Sequence, residues 1–456
     1  MPAPVILWFR QDLRLADQPA LAAAMAEGPV VPVYVLDDET PGDWRIGGAQ
    51  RWWLHHSLAA LARSLEQRGS RLVLRRGPAG AVLRGLLDET GATAVHALRH
   101  YEPWWREAET PVADRLCLHD GNHLTPVHAM RNAAGQPFRA YAGFWRALQA
   151  RLPSDPPQDA PVSIPAPAAW PGSDDLASWR LLPTKPDWST GFNADWTPGE
   201  DAALAKLDAL GPIVDAYETT RNLPAQEGTA RLSPHLHFGE VSPARVAHAA
   251  AGRADSTKFL RELAWRDHTA NLIVQHPDYG DRPVRARFEA LRVRTGKQAE
   301  ADLEAWKRGR TGYPIVDAGM RQLWQTGWMT NRARLITASF LVKHLLIDWR
   351  EGERFFWDTL VDADYGNNAV NWQWIAGSSV EAQLWSRIMA PLVQSEKFDA
   401  GDYIRRWVPE LARVPDPAIH DPDAHGVRPA AYPAKIVEHR DARERALAAG
   451  RALPPP

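Results

Sequence analysis

Residues 327–374 read GWMTNRARLITASFLVKHLLIDWREGERFFWDTLVDADYGNNAVNWQW, and the way this stretch folds decides the second half of the chain. Over 331–346 apolar residues recur at helical spacing, and Arg334, Thr337, Ala338 and Leu341 share one face at i, i+3, i+4 and i+7. That face is small and flat beside one cation, so a planar ligand can lie against Thr337 and Ala338. Asp362 or Asp364, in the loop that follows, is the carboxylate expected to pair with Arg334. Taken alone, the pattern equally describes tight helix packing with an ordinary salt bridge.

Further out, composition narrows the field. At 456 residues the chain exceeds one ordinary domain, and 53 Lys+Arg against 55 Asp+Glu leaves it near neutral. A nucleic-acid site must therefore be a local patch on a balanced surface. Cys117 is the only cysteine, which excludes an internal disulfide framework and a thiolate-held iron–sulfur cluster. No apolar run approaches the roughly 20 residues of a membrane span, so a soluble, cytoplasmic monomer without a metal site is expected. The 21 tryptophans suit two tasks at which an indole excels, stacking on flat ligands and relaying electrons.

Toward the N-terminus, short apolar runs at 5–9, 30–36, 71–74 and 94–98 alternate with helical patterns at 19–27, 50–67 and 79–90. This alternation gives an α/β domain over 1–135, a doubly wound parallel sheet with helices on both faces. Arg10, Gln11 and Asp12 follow the first strand where a G-x-G-x-x-G turn would stand, so a conventional dinucleotide site is not expected there. Residues 136–195, with PSDPPQDAPVSIPAPAAWP at 153–171, read as a Pro-rich interdomain linker. From 196 to 456 the pattern is helical, an all-α domain.

Three features of that second domain carry chemistry. In GTARLSP (228–234) and EVSP (240–243), Ser233 and Ser242 precede prolines as N-caps with Pro at N1. The first leaves backbone N–H groups beside Thr229 and Arg231, either a plain capped helix or a pyrophosphate cradle. Glu262, Trp265 and Arg266 share one helical face, where Glu262 and Arg266 also read as a surface i,i+4 pair. Arg285, Arg287, Arg292, Arg294, Lys297, Lys307 and Arg308 form a basic run, a solvated face or a phosphate-tracking rim.

The stretches ILWFRQDLRLAD, GTARLSP, RELAWRD, KRGRTGYPIVDAGMRQL, GWMTNRARLITASFLVKHLLIDWREGERFF, DADYGNNAVNWQW and EKFDAGDYIRRWVPEL occur in one order across 5–443. Together they closely resemble the DNA photolyase and cryptochrome family. The resemblance implies an all-α domain holding a U-shaped FAD, with Thr229, Ala230, Arg231, Leu232 and Ser233 at its phosphates and Tyr217 upstream. Arg266, Arg334, Asp362, Asp364 and Asn368 match further cofactor positions, Asn368 facing flavin N5. A second, antenna chromophore, methenyltetrahydrofolate or a deazaflavin, is implied for the first domain, with Glu102 at a folate-contacting position.

The implied partner is UV-damaged DNA, from which a pyrimidine dimer is flipped out of the duplex, the general route to a base that needs chemistry. Trp265 and Trp374 match the residues that stack on it, and Glu262 and Asn331 those that hydrogen-bond its edges. Leu335 lies beside them, and Arg332 and Arg221 match phosphate holders. Light-excited FADH⁻ would lend an electron that splits a cyclobutane dimer and returns. Trp372 and Trp349 match the first members of an electron relay to the flavin. The chain departs from the family at His268, where an aromatic ring is usual, at Leu335, where Met is common, and at Gly296, where the third relay tryptophan is expected. Either another indole such as Trp357 or Trp324 would then serve as the exit, or photoreduction is slow. The rival within the family is a blue-light signalling photoreceptor, against which Asn368 and the pair Trp265 and Trp374 speak.

Overall fold

The computed structural model describes residues 2–152, 156–382 and 384–455, so 153–155, at the head of the Pro-rich stretch, lie outside the described residues. Near the N-terminus five strands form one sheet: β1 (Val5–Phe9), β2 (Val30–Leu36), β3 (Val73–Arg76), β4 (Val95–Leu98) and β5 (Leu116–His119). Their order is β3-β2-β1-β4-β5 and every pairing is parallel, with Val5 opposite Val30 and Phe9 opposite Tyr34. Both β1 and β2 are buried along their whole length, which is why they read as unbroken apolar runs rather than alternating ones. Helices α1 (Pro19–Glu27), α2 (Gly48–Glu66), α3 (Ala79–Thr90) and α4 (Pro103–Glu109) make the connections. The third strand starts later than the apolar run at 71–74. The edge strand β5, LCLH, escaped the sequence reading because four residues are too short a run to stand out; its Cys117 is exposed and the others are partly buried.

The strand order reverses at β1, and the chain leaving β1 there docks on the helical domain. Leu13 N–H donates to the Phe238 carbonyl at 2.9 Å and Arg14 Nη1 to the Gly239 carbonyl at 3.0 Å. Gly239 has φ +64°, and a side chain on it would strike the Gln11 carbonyl. Only glycine suits that approach.

The stretch 136–195 holds more than extended chain. Helix α5 (Tyr141–Gln149) packs on the Ser256–Gln275 helix, and short helical pieces lie at Leu176–Trp179 and Phe192–Asp195. Phe144 and Leu148 are fully buried in the helical domain's core. Their apolar spacing gives α5 a buried face; the neighbouring prolines masked it in the sequence.

Beyond residue 195 the described residues form no strand. The helix expected over 331–346 changes character: Asn331–Ser339 is α-helical and Phe340–His344 is a π-helical turn. Within that turn Lys343 is fully buried, donating to the Trp385 carbonyl at 3.1 Å with its ammonium 3.5 Å from the Trp385 ring centroid. The turn thus sits where the chain buries a charged side chain against a partner far along the sequence. The Trp349–Thr359 and Tyr365–Ala376 helices follow, capped by Asp348 and Asp364. Ser242 caps its helix by accepting from Arg245 N at 3.0 Å. Ser233 does not: it lies within the Ser233–His237 helix, and its hydroxyl accepts from Trp328 Nε1 at 3.2 Å. No helix among the described residues is long and apolar enough to cross a membrane.

Candidate active site

A cavity of about 520 Å³ opens between the Ser256–Gln275, Asn331–Ser339 and Tyr365–Ala376 helices and the segment 229–233. That volume lies in the range of small-molecule and cofactor sites. At one end stand Tyr217, Thr229, Ala230, Leu232, Ser233 and Arg231. Arg231 has φ +49°, a left-handed backbone that costs a non-glycine residue of order 1–3 kcal/mol and is tolerated chiefly where function needs it. Its guanidinium lies 4.2 Å from the Trp196 centroid and 3.7 Å from Asp195, while its Nε is buried with no partner. A partly buried guanidinium with one unpartnered N–H, beside a hydroxyl, suits a diphosphate.

In the middle, Arg334 Nη2 bonds both oxygens of Asp362, at 2.8 and 3.0 Å, and its Nε donates to the Met329 carbonyl at 3.0 Å. Asp364 is not the partner: it caps the Tyr365–Ala376 helix, accepting from Asn367 N at 2.7 Å, and lines the cavity from there. Of the expected flat face, Ala338 lines the cavity. Thr337 and Leu341 turn into the core instead, Thr337 donating to the Ala333 carbonyl at 2.9 Å. The cavity thus presents a narrower apolar face than helical spacing implied.

Asn368 also lines the cavity, with Nδ2 donating to the Glu353 carbonyl at 3.0 Å. A carbonyl only accepts, so this bond fixes the amide's orientation and leaves Oδ1 as its free end. Glu353 itself is fully buried, both carboxylate oxygens lack partners, and burial pushes its pKa well above the ordinary range. Burial without a partner thus favours the protonated form of this carboxyl. Nothing in EGERFF distinguishes it from a surface glutamate, and sequence reasoning passed it over.

Trp372 lines the cavity and touches Phe356 at 5.0 Å and Trp306 at 6.4 Å between ring centroids. Its ring lies on the bare backbone of Gly352, where a side chain would collide with it. Trp349 is buried at the start of the Trp349–Thr359 helix, under the Arg350 guanidinium at 4.9 Å, and is not part of the cavity wall. Of the expected exits, Trp357 is buried against Trp44 and Trp324 is 54% exposed.

At the mouth, Trp265, Trp374, Leu335, Asn331 and Glu262 all reach the cavity. Glu262 pairs with Arg221, not with Arg266, whose guanidinium donates to the carbonyls of Asn122 and Leu236. Arg332 stands outside the wall, its Nη2 on Asn222 Oδ1 at 2.8 Å and its guanidinium 4.1 Å from the Phe398 centroid. In the basic run, Arg294 is tied to Asp302 and Lys307 to Glu304, so those cations are partly neutralised. His268 is fully buried against Phe144, Tyr141 and Trp265, and burial pushes its pKa down to about 4, leaving it neutral.

Glu102 faces a second cavity, of about 10 Å³, between the two domains. Gln11, His100, His123, Arg266 and Asp364 line it too. Burial, with the Asp364 charge adding, pushes Glu102 up to about 7. A space of this size admits one water, not a chromophore.

Residues 5–166 match the family model described as DNA photolyase, and residues 259–452 that described as the FAD binding domain of DNA photolyase. A deoxyribodipyrimidine photo-lyase of Agrobacterium fabrum is 48% identical, with 98% of this chain and 97% of that protein covered. Cryptochrome-1 of Arabidopsis thaliana is 34% identical over 91% of this chain and 64% of its own length. The crystal structure of a class III photolyase from Agrobacterium tumefaciens superimposes with a TM-score of 0.94 at 47% identity, covering 99% of this chain and 98% of that one.

Proposed function

The chain belongs to the DNA photolyase and cryptochrome family, and on that premise we propose that it is a deoxyribodipyrimidine photo-lyase. In this reading it splits cyclobutane pyrimidine dimers in UV-damaged DNA, with FAD seated in the large cavity. Asn368 carries the reading. Its amide is pinned by the Glu353 carbonyl, so it offers the cavity a fixed acceptor that does not ionise.

When bound, FAD supplies light absorption and one electron; the protein supplies binding, orientation and electrostatics. Arg231 and Thr229 hold the diphosphate, and the Arg334–Asp362 pair orients the ring system and balances charge beside it. The flipped dimer stacks on Trp265 and Trp374, while Glu262 and Asn331 accept or donate at its base edges. Damage weakens pairing and stacking, which lowers the cost of extrusion. With one electron added, the two carbon–carbon bonds that close the cyclobutane ring break. The electron then returns, so both pyrimidines are restored without net redox change. Leu335 and Asn331 stand where a proton-donating imidazolium would be needed for the (6-4) photoproduct, so the cyclobutane lesion is preferred.

A second chromophore, methenyltetrahydrofolate or a deazaflavin, belongs to this proposal through the family. The cavity at Glu102 does not fit it, so Glu102 is not assigned a contact with it. Extraction and absorption spectroscopy identify what copurifies. The deciding experiment is light-driven repair of an oligonucleotide carrying one thymine cyclobutane dimer, using protein loaded with reduced FAD. Repair that requires light is expected. Flavin-loaded protein that repairs nothing would leave the signalling photoreceptor as the better reading.

A further inference from the structure

Trp265 has two faces, and only one is free. Its other face stacks on Tyr141, ring centroids 3.8 Å apart and planes 5° from parallel. Tyr141 comes from a different part of the chain, as the first residue of α5. It is tied at both ends: its hydroxyl donates to the Arg261 carbonyl, and its N–H donates to Glu381 Oε2 at 2.7 Å. His268 closes the side of the stack, with centroid distances of 5.5 Å to each ring and interplanar angles of 71° to Trp265 and 72° to Tyr141. Both its ring nitrogens are buried without a hydrogen-bond partner. The imidazole therefore serves as a ring, presenting an edge-type contact to both members of the stack.

We infer that Tyr141 is a positioning residue for lesion recognition, fixing Trp265 as the rigid back wall against which the extruded pyrimidine pair stacks, with His268 bracing the two rings. The inference rests on the lesion-binding role of Trp265 proposed above. An indole at a cavity mouth loses rotamer freedom when a base stacks on it, and that loss weakens binding. Held in advance between Tyr141 and His268, Trp265 has already lost that freedom on folding. The preference for damaged over undamaged DNA then depends on a residue that need not touch the lesion. Binding to undamaged duplex runs through phosphate contacts and does not use the wall.

The test compares Tyr141→Leu, Tyr141→Phe and Trp265→Ala, each as full-length flavin-loaded protein. Dissociation constants are measured for matched duplexes with and without one cyclobutane dimer, and bound FAD is measured by absorbance. For Tyr141→Leu, affinity for the dimer duplex should fall by about three- to tenfold, the range expected when an aromatic pair is lost. Undamaged-duplex affinity and FAD content should hold. Tyr141→Phe should bind the dimer as the unaltered protein does. If Tyr141→Leu does not fold, Tyr141→Met removes the ring at similar volume. Unchanged dimer affinity in the Leu variant overturns the inference, as does an equal loss on both duplexes with loss of FAD, which marks a merely structural role. Trp265→Ala separates the two levels. If it leaves dimer affinity intact, the stacking wall itself is wrong and the inference falls with it; if it weakens dimer binding while Tyr141→Leu does not, only the inference falls.

Discussion

The side-chain amide of Asn368 is anchored by the main-chain carbonyl of Glu353, 3.0 Å away, while the Glu353 carboxyl lies buried with no partner at all. Asn368 thus contributes a fixed acceptor to the cavity wall, held by the main chain of a residue whose own side chain is sealed in the interior. Burial favours the protonated form of the Glu353 carboxyl.

Asn368→Asp should be costly for this reason. A carboxylate cannot donate to the Glu353 carbonyl, and the unpaired buried acceptor costs about 1–3 kcal/mol. It also brings a second negative charge near Asp362. Lower stability in chemical denaturation, together with reduced repair, is expected; a variant as stable and active as the parent would show that the amide's anchoring is irrelevant.

Trp372→Phe keeps an aromatic ring on the bare Gly352 backbone and against Phe356 but removes the oxidisable indole. Photoreduction of oxidised FAD should be lost while chemically reduced protein still repairs. Transient absorption is the measurement, and photoreduction at the parent rate would mean that electrons enter by another route.

Glu102 gives stability a pH dependence. Its folded pKa of about 7 lies above the ordinary 4.5. The stabilisation from holding its proton is fully present below pH 4.5 and is lost as pH rises through about 7. A shift of that size corresponds to about 3 kcal/mol. His100 and His123, which burial holds well below the usual imidazole range, line the same cavity, so the comparison must be with a variant. Glu102→Gln should flatten the decline between pH 5 and 8 in urea denaturation. A constant difference from the parent across that interval would count against the assignment.

Arg332 and Arg221 should differ in salt response. Arg332 bonds a neutral amide, whereas Arg221 is paired with the Glu262 carboxylate. Arg332→Ala should therefore reduce the slope of log K against log salt by about one unit, and Arg221→Ala by less. A slope left unchanged by Arg332→Ala would place the phosphate track elsewhere.

Much of this site was legible in the sequence because helical faces are local. Arg334, Ala338 and the Glu262–Trp265–Arg266 face follow from helical spacing, Asp362 was one of two carboxylates within reach, and Asn368 came only from the family resemblance. What escaped depends on partners far along the chain. The π-helical turn carries Lys343 to Trp385, 42 residues on, and that turn lies just past Thr337, whose expected exposure to the cavity is replaced by a bond to Ala333. Ser233 reads as a cap but is engaged by Trp328, and Glu353 reads as surface but is sealed in. Tyr141 sat in a stretch that proline density marked as linker, and no periodicity within that stretch announces a ring stacked on Trp265.

The position of α5 bears on how such proteins can be shuffled between relatives. Phe144 and Leu148 are sealed into the helical half although they precede the Pro-rich stretch. A hybrid joined at residue 195 would import a foreign α5, and with it a foreign neighbour for Trp265. One joined ahead of Tyr141 would inherit both rings from the same parent, so lesion preference should travel with the segment that begins before the Pro-rich stretch.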